Sequence, residues 1–153
     1  MRTIFVILLF WSTALYGQNW YIKRSVDWII TNPERQNVSL KDITSFRNSH
    51  YESFEALLPV YFEKMNWQSK PSIVEVHFFD GEFQRLSKKF AQDPIFSTLD
   101  TTIHIVHRLS REAGIPSLMV SFTPFRRNPE TGMVERLSSF VLNIKAQTGR
   151  TKK

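Results

Sequence analysis

Four histidines, fourteen carboxylates and no cysteine set the chemistry this chain could attempt. His104 and His107 are close enough in sequence to suggest a shared metal ion. On a strand, however, their odd separation sends the two rings to opposite faces, so they cannot hold one ion together. Glu75, Asp80 and Glu82 could supply the paired carboxylates of general acid-base catalysis. Gathered around an Asp-Gly pair, they read instead as a solvated face. A serine hydrolase of the strand-to-helix type needs a Gly-x-Ser-x-Gly elbow, and none occurs. The lack of cysteine excludes a disulfide scaffold, a thiolate zinc site, an iron–sulfur cluster and a cysteine nucleophile within the chain. Arg126 and Arg127 precede a loop, where they either grip an acidic partner or end a solvated hairpin. Asn37-Val38-Ser39 matches the short pattern of an N-glycosylation acceptor. No catalytic, cofactor-binding or metal-ligating constellation emerges, and the residues singled out are structural.

The elements that would position any site are legible mainly in the second half. Residues 73–79 (IVEVHFF) are rich in β-branched and aromatic side chains. Asp80-Gly81 then offers the left-handed positions of a tight turn, and residues 82–86 resume an extended pattern, which predicts a β-hairpin. Residues 101–109 alternate Ile103, Ile105, His107 and Leu109 with more polar neighbours, as a half-buried strand does. Leu118, Val120 and Phe122 share one face of the next run. Phe140, Leu142 and Ile144 share one face of the strand that returns over 134–146. Between them, Asn128-Pro129-Glu130-Thr131-Gly132 has the chemistry of a hairpin loop: Pro129 presets φ, and Gly132 accepts a positive φ. Hairpins and short strands of this kind predict a mainly β protein, an antiparallel sandwich with Leu118, Val120, Phe122, Phe140, Leu142 and Ile144 in its core.

The N-terminal half predicts at most one or two short helices. Ser49-His50-Tyr51-Glu52 has capping-box spacing ahead of Phe54, Leu57 and Leu58, and Pro59 would end that helix at once. Residues 32–48 read as polar and turn-rich, with a break at Asn32-Pro33. From Gln147 the chain is Thr, Gly and basic residues, predicting a disordered tail over 147–153.

At 153 residues, with 42% hydrophobic and 22% charged content and thirteen phenylalanines, the chain suits one folded domain rather than a disordered segment. Arg2, an apolar run over 4–11 and then Ser12, Thr13 and Ala14 form a Sec-type export signal. Cleavage is expected after Gly17, leaving Gln18 first, so that residues 1–17 are the signal peptide and 18–146 the domain. The competing reading is an uncleaved anchor, although the apolar run is short for a bilayer. The net charge of +6 invites a nucleic-acid partner. Its distribution argues against one: Lys145, Arg150, Lys152 and Lys153 crowd the last nine residues while the body is nearly neutral, without the basic stripe that phosphate binding needs.

The stretch 113–146, AGIPSLMVSFTPFRRNPETGMVERLSSFVLNIKA, adds a likeness to this reading. An apolar strand ending in Pro-Phe-Arg, an Asn-Pro-x-Thr-Gly turn, a Val-Glu-Arg-Leu segment and a Ser-Phe-x-Leu-x-Ile strand resemble the N-terminal, pro-domain-like region of gingipain-type cysteine peptidases. Within that group the run is most similar to the type IX secretion system sortase of Bacteroidetes, and the likeness weakens over 73–109. The resemblance implies a β-sandwich module between a Sec signal and a linker to a downstream catalytic domain, located in the periplasm, outer membrane or cell surface. It implies a parent enzyme that removes C-terminal signal domains from cargo and joins the cargo to an anionic lipopolysaccharide, alongside cell-surface attachment proteins of the same system. The module itself would support folding, latency or docking. The family's catalytic histidine and cysteine belong to the downstream domain, so His50, His77, His104 and His107 inherit no role. The reading from another class is a free-standing exported sandwich that binds a protein or glycan. A small carboxylate hydrolase is a third.

Overall fold

A computed structural model of the chain describes residues 17–35, 37–51, 57–66 and 73–147. Residues 1–16 of the expected signal peptide (1–17), residues 52–56 of the expected short helix and residues 148–153 of the expected tail (147–153) lie outside the described residues.

The long last strand, β7 (Val134–Gln147), organises the larger sheet. Its alternating Phe140, Leu142, Ile144 and Ala146 are all buried, so one face is committed to a core and both edges are free to pair. On one edge it pairs antiparallel with β3 (Ile73–Arg85). The other edge takes β1 (Gly17–Ser25) and then the short β6 (Phe125–Arg127). A second, three-stranded sheet has the order β2 (Tyr61–Asn66), β5 (Ile115–Phe122), β4 (Val106–Glu112), again antiparallel throughout. Two short helices, α1 (Leu40–Thr44) and α2 (Lys88–Ala91), lie in the connections. The first falls in the N-terminal half and the second just past the middle of the chain. The fold is mainly β, as the alternation in the sequence required.

Register shows how the core forms. Trp20, Ile144 and Val76 lie in one row across the larger sheet, and Ile22, Leu142 and Phe78 in the next inward row. They face Leu118, Val120 and Phe122 of β5, and all six core residues named from the sequence are buried. Phe140 is the joint between the sheets. Its ring meets Tyr61 at 5.2 Å and Phe122 at 5.1 Å between centroids, both edge-to-face. Each such side chain taken from water contributes about 1.5–3 kcal/mol, and each aromatic pair roughly 0.5–1.5 kcal/mol more. Polar clips close the two sides of the sandwich. Arg24 of β1 donates to both carboxylate oxygens of Glu63 on β2, at 2.9 and 3.1 Å, and on the opposite side His107 of β4 reaches the carbonyl of Val74 on β3 at 3.1 Å.

Four expectations are corrected by the backbone. Asp80 and Gly81 do not turn the chain: β3 runs straight through them, pairing Asp80 with Val141 and Gly81 with Phe140. What the Asp-Gly pair marks is a β-bulge at Phe79, the residue skipped between Phe78 and Asp80 in the pairing. Gly81 is glycine for lack of room. A Cβ there would lie 2.5 Å from Phe78 Cζ and 2.9 Å from Leu137 Cδ1, so the phenyl ring covers a strand glycine. The strand read over 101–109 begins only at Val106 and continues to Glu112, because a two-residue hairpin turn follows at Ala113-Gly114, with φ of 48° and 83°. The segment 32–48, read as polar and turn-rich, holds a helix, which a capping box at Ser39 and Asp42 starts. The Asp42 amide donates to Ser39 Oγ at 3.2 Å, and the Ser39 amide to Asp42 Oδ2 at 3.0 Å. Finally, Gln147 is not in a tail, since it pairs with both Gly17 and Ile73 as the last residue of β7.

Candidate functional site

The loop between β6 and β7 is built from Asn128 outward. The Asn128 side-chain oxygen accepts from the amides of Glu130 and Thr131, each at 2.9 Å, which fixes the turn immediately after Pro129. The Gly132 amide donates back to the Asn128 carbonyl at 2.8 Å with φ at 68°. Arg126 and Arg127 are consumed by this same structure. Arg126 forks onto Glu135 Oε2 at 3.1–3.2 Å and lies 3.4 Å over the Phe83 ring, and Arg127 donates to the carbonyls of Phe96 and Gly132. Arg126 thus meets an acid of its own chain, and Arg127 is tied to two backbone carbonyls.

The histidines and carboxylates do not converge. His104 precedes β4 in an irregular stretch, and its Nε2 faces both Asp100 Oδ2 at 2.8 Å and Thr102 Oγ1 at 3.3 Å. In a nucleophile–histidine–carboxylate relay the two partners sit on different ring nitrogens. Here both share one nitrogen, so no proton can be passed from Thr102 to Asp100. The contact does hold the Asp100 carboxyl below the ordinary carboxylate range, chiefly through the hydrogen bond from His104. Glu75 pairs with His77 at 3.3 Å, Asp80 accepts from the neighbouring Gly81 amide, and Glu82 accepts from Ser139 at 2.7 Å. No group of three metal-ligating side chains comes together among the described residues.

What the fold offers is surface. A groove of about 400 Å³ has walls of Leu57, Leu58, Val60, Ile95, Leu99 and Phe125 and a rim of Thr98, Asp100, Thr102, His104 and Thr123. A second hollow of about 560 Å³ lies between Trp28, Ile29, Thr31, Arg47 and Gln84. Behind it is a feature the sequence did not announce, the fully buried Arg136 on β7. Its guanidinium donates to Gln84 Oε1 and to the carbonyls of Ile30, Thr31 and Ile43, and lies 4.7 Å from the Trp28 ring. No carboxylate among the described residues meets it, and burial pushes its pKa down to about 10, which still leaves it cationic at neutral pH. Arg136 clips the segment around α1 onto β7. It is a structural cation whose bonds go to the chain itself.

The structural residues singled out from the sequence thus divide. Asn128, Pro129 and Gly132 share one loop, whereas Asp80 and Gly81 lie within a paired strand. Gly17 and Gln18 are the first residues of β1, opposite Gln147 and Ala146.

No protein-family model matches the sequence, and none of the curated proteins does. Among solved structures, the chain is similar to one in the complex of the pro- and mature domains of RgpB from Porphyromonas gingivalis, with a TM-score of 0.45 and 14% identity over 88% of this chain and 85% of that one.

Proposed function

We propose that this chain is the non-catalytic N-terminal module of an exported gingipain-type cysteine peptidase, specifically of a type IX secretion sortase. One observation carries the reading: the sequence run from Ala113 to Ala146, with its Pro-Phe-Arg, Asn-Pro-x-Thr-Gly and Ser-Phe-x-Leu-x-Ile elements in order, resembles that region of the family. The chain has no cysteine, so any peptidase or transpeptidase chemistry belongs to a downstream catalytic domain, which is the module's first partner. Its further partners are cell-surface attachment proteins of the secretion system. The parent enzyme removes C-terminal signal domains from cargo and attaches the cargo to the surface, while this module supports folding, latency or docking. Export follows the Sec route, with cleavage between Gly17 and Gln18, and places the module in the periplasm, at the outer membrane or on the cell surface.

The test is the size of the native product. An antibody against residues 18–146 is used to blot outer-membrane and secreted fractions of the source cells. A band far larger than this chain, or such a band together with a short released one, is the expected result. A short band alone, with no larger precursor, refutes the parent enzyme and leaves a free-standing sandwich that binds a protein or glycan.

A further inference from the structure

β4 is an edge of the smaller sheet that neither a bulge nor a proline of its own guards, and charge is the guard it carries. It keeps register with β5 through seven successive pairs, from Val106 opposite Ser121 to Glu112 opposite Ile115, without a bulge or a proline. β3, the neighbouring edge of the larger sheet, is protected. Its pairing shifts twice, at Phe78/Asp80 and at Glu82/Phe83, and the His107 ring occupies the Val74 carbonyl. Edges left straight and open present a row of backbone donors and acceptors to any extended chain, which is why folded proteins usually bend or charge them.

The side chains of β4 specify what kind of chain fits. All of them except Ser110 are exposed. Leu109 lies opposite Leu118, which is fully buried, and paired residues share a sheet face. Leu109 therefore points to the core side, yet it is 39% exposed, and no further strand among the described residues pairs with β4. Arg108 and Arg111 are exposed, and neither has an ion-pair partner among the described residues. Being three apart on a strand, they project from opposite faces. Glu112, the one acid on this strand, is already paired with Lys64.

We propose that β4 takes up an extended acidic segment of a partner protein as a fourth, antiparallel strand. Backbone hydrogen bonds along the open edge supply affinity, and the alternating side chains supply selectivity. Antiparallel geometry fixes the order in the partner, read from its N-terminus: an acid opposite Arg111, any residue opposite Ser110, an apolar residue opposite Leu109, and an acid opposite Arg108. The apolar residue covers the gap beside Leu109, and the two carboxylates meet the two guanidiniums on either face. This inference holds whether or not a catalytic domain follows, so its failure leaves the proposed parent enzyme untouched.

The test is selection of a random ten-residue peptide library displayed on phage against the full chain. Enriched peptides are expected to share the acid, any, apolar, acid order. A synthetic peptide of that kind should bind Arg108→Glu/Arg111→Glu about ten-fold more weakly, a loss of about 1.4 kcal/mol, and a version with lysines in place of the two acids should recover binding to that variant. Amide hydrogen exchange on the unaltered chain should slow within residues 106–112 when the peptide is bound. Peptides without the two acids, affinity unchanged by the charge reversal, or protection elsewhere would each overturn the proposal. A concentration-dependent dimer abolished by the same double substitution would also overturn it, by assigning the edge to a second copy.

Discussion

Replacing Gly81 by alanine tests the corrected path of β3. At an ordinary extended position that change stabilises a protein by about 0.4–1 kcal/mol, because it restricts the unfolded chain. Here the new methyl would sit 2.5 Å from Phe78 Cζ and 2.9 Å from Leu137 Cδ1. Leu137 is fully buried, and Phe78 is hemmed in by Phe140 and Phe83, each 6.4 Å away between ring centroids, so neither neighbour yields freely. Overpacking of this kind costs about 1–3 kcal/mol. The net expectation for Gly81→Ala is therefore a loss of roughly 1–2 kcal/mol, a Tm lowered by about 3–10 °C. A glycine in a left-handed turn would also lose stability as alanine, and a second variant separates the two cases. Phe78→Leu removes the atoms that collide, so Gly81→Ala/Phe78→Leu should cost about 1 kcal/mol less than the two single changes added together. Thermal and urea unfolding followed by circular dichroism measure all four proteins. Strict additivity would refute the account of Gly81 as a glycine covered by an aromatic ring.

Phe140→Ala empties the joint between the sheets and should cost about 3–5 kcal/mol, whereas an unchanged melting temperature would remove Phe140 from the core. Arg136→Met keeps much of the volume but strands the carbonyls of Ile30, Thr31 and Ile43, and should cost about 3 kcal/mol in urea unfolding, with Arg136→Lys intermediate. Asp42 and Asp100 are held below the ordinary carboxylate range by hydrogen bonds from Ser39 and His104 respectively. Their folded pKa values lie under the unfolded value of about 3.9, so their contribution is present above that pH and is lost as the pH falls through the folded values. The urea midpoint measured from pH 7 to pH 2 should therefore drop less steeply below about pH 4 in Asp42→Asn/Asp100→Asn than in the unaltered chain.

The strands that alternate cleanly were readable from sequence. Phe140, Leu142 and Ile144 repeat every second residue, and Asn128 to Gly132 carry turn chemistry that needs no tertiary help. Gly81 was misread because Asp-Gly satisfies a turn rule locally, while the reason for the glycine lies in the Phe78 ring and in Leu137, over fifty residues away, which only the folded sheet brings against it. The turn at Ala113-Gly114 passed unnoticed because alanine is an uncommon occupant of a left-handed position. Arg136 gave no local sign either. Its partners come from residues 30, 31, 43 and 84, and only the folded chain brings them to one guanidinium. The β4 edge was half visible: the alternation around Ile105 and His107 suggested a strand, but exposure depends on which strands lie beyond it.

The pairing of Gln18 with Ala146 sets a timetable for the chain. The strand that organises the larger sheet comes last in sequence among the described strands, so β1 and β3 have no partner until the rest of this module has been made. Contacts this far apart in sequence close slowly, on the millisecond-to-second scale typical of such topologies. A chain passing through an export channel in order from its N-terminus would thus stay threadable until the final strand emerged, and would then complete its larger sheet in a single late event.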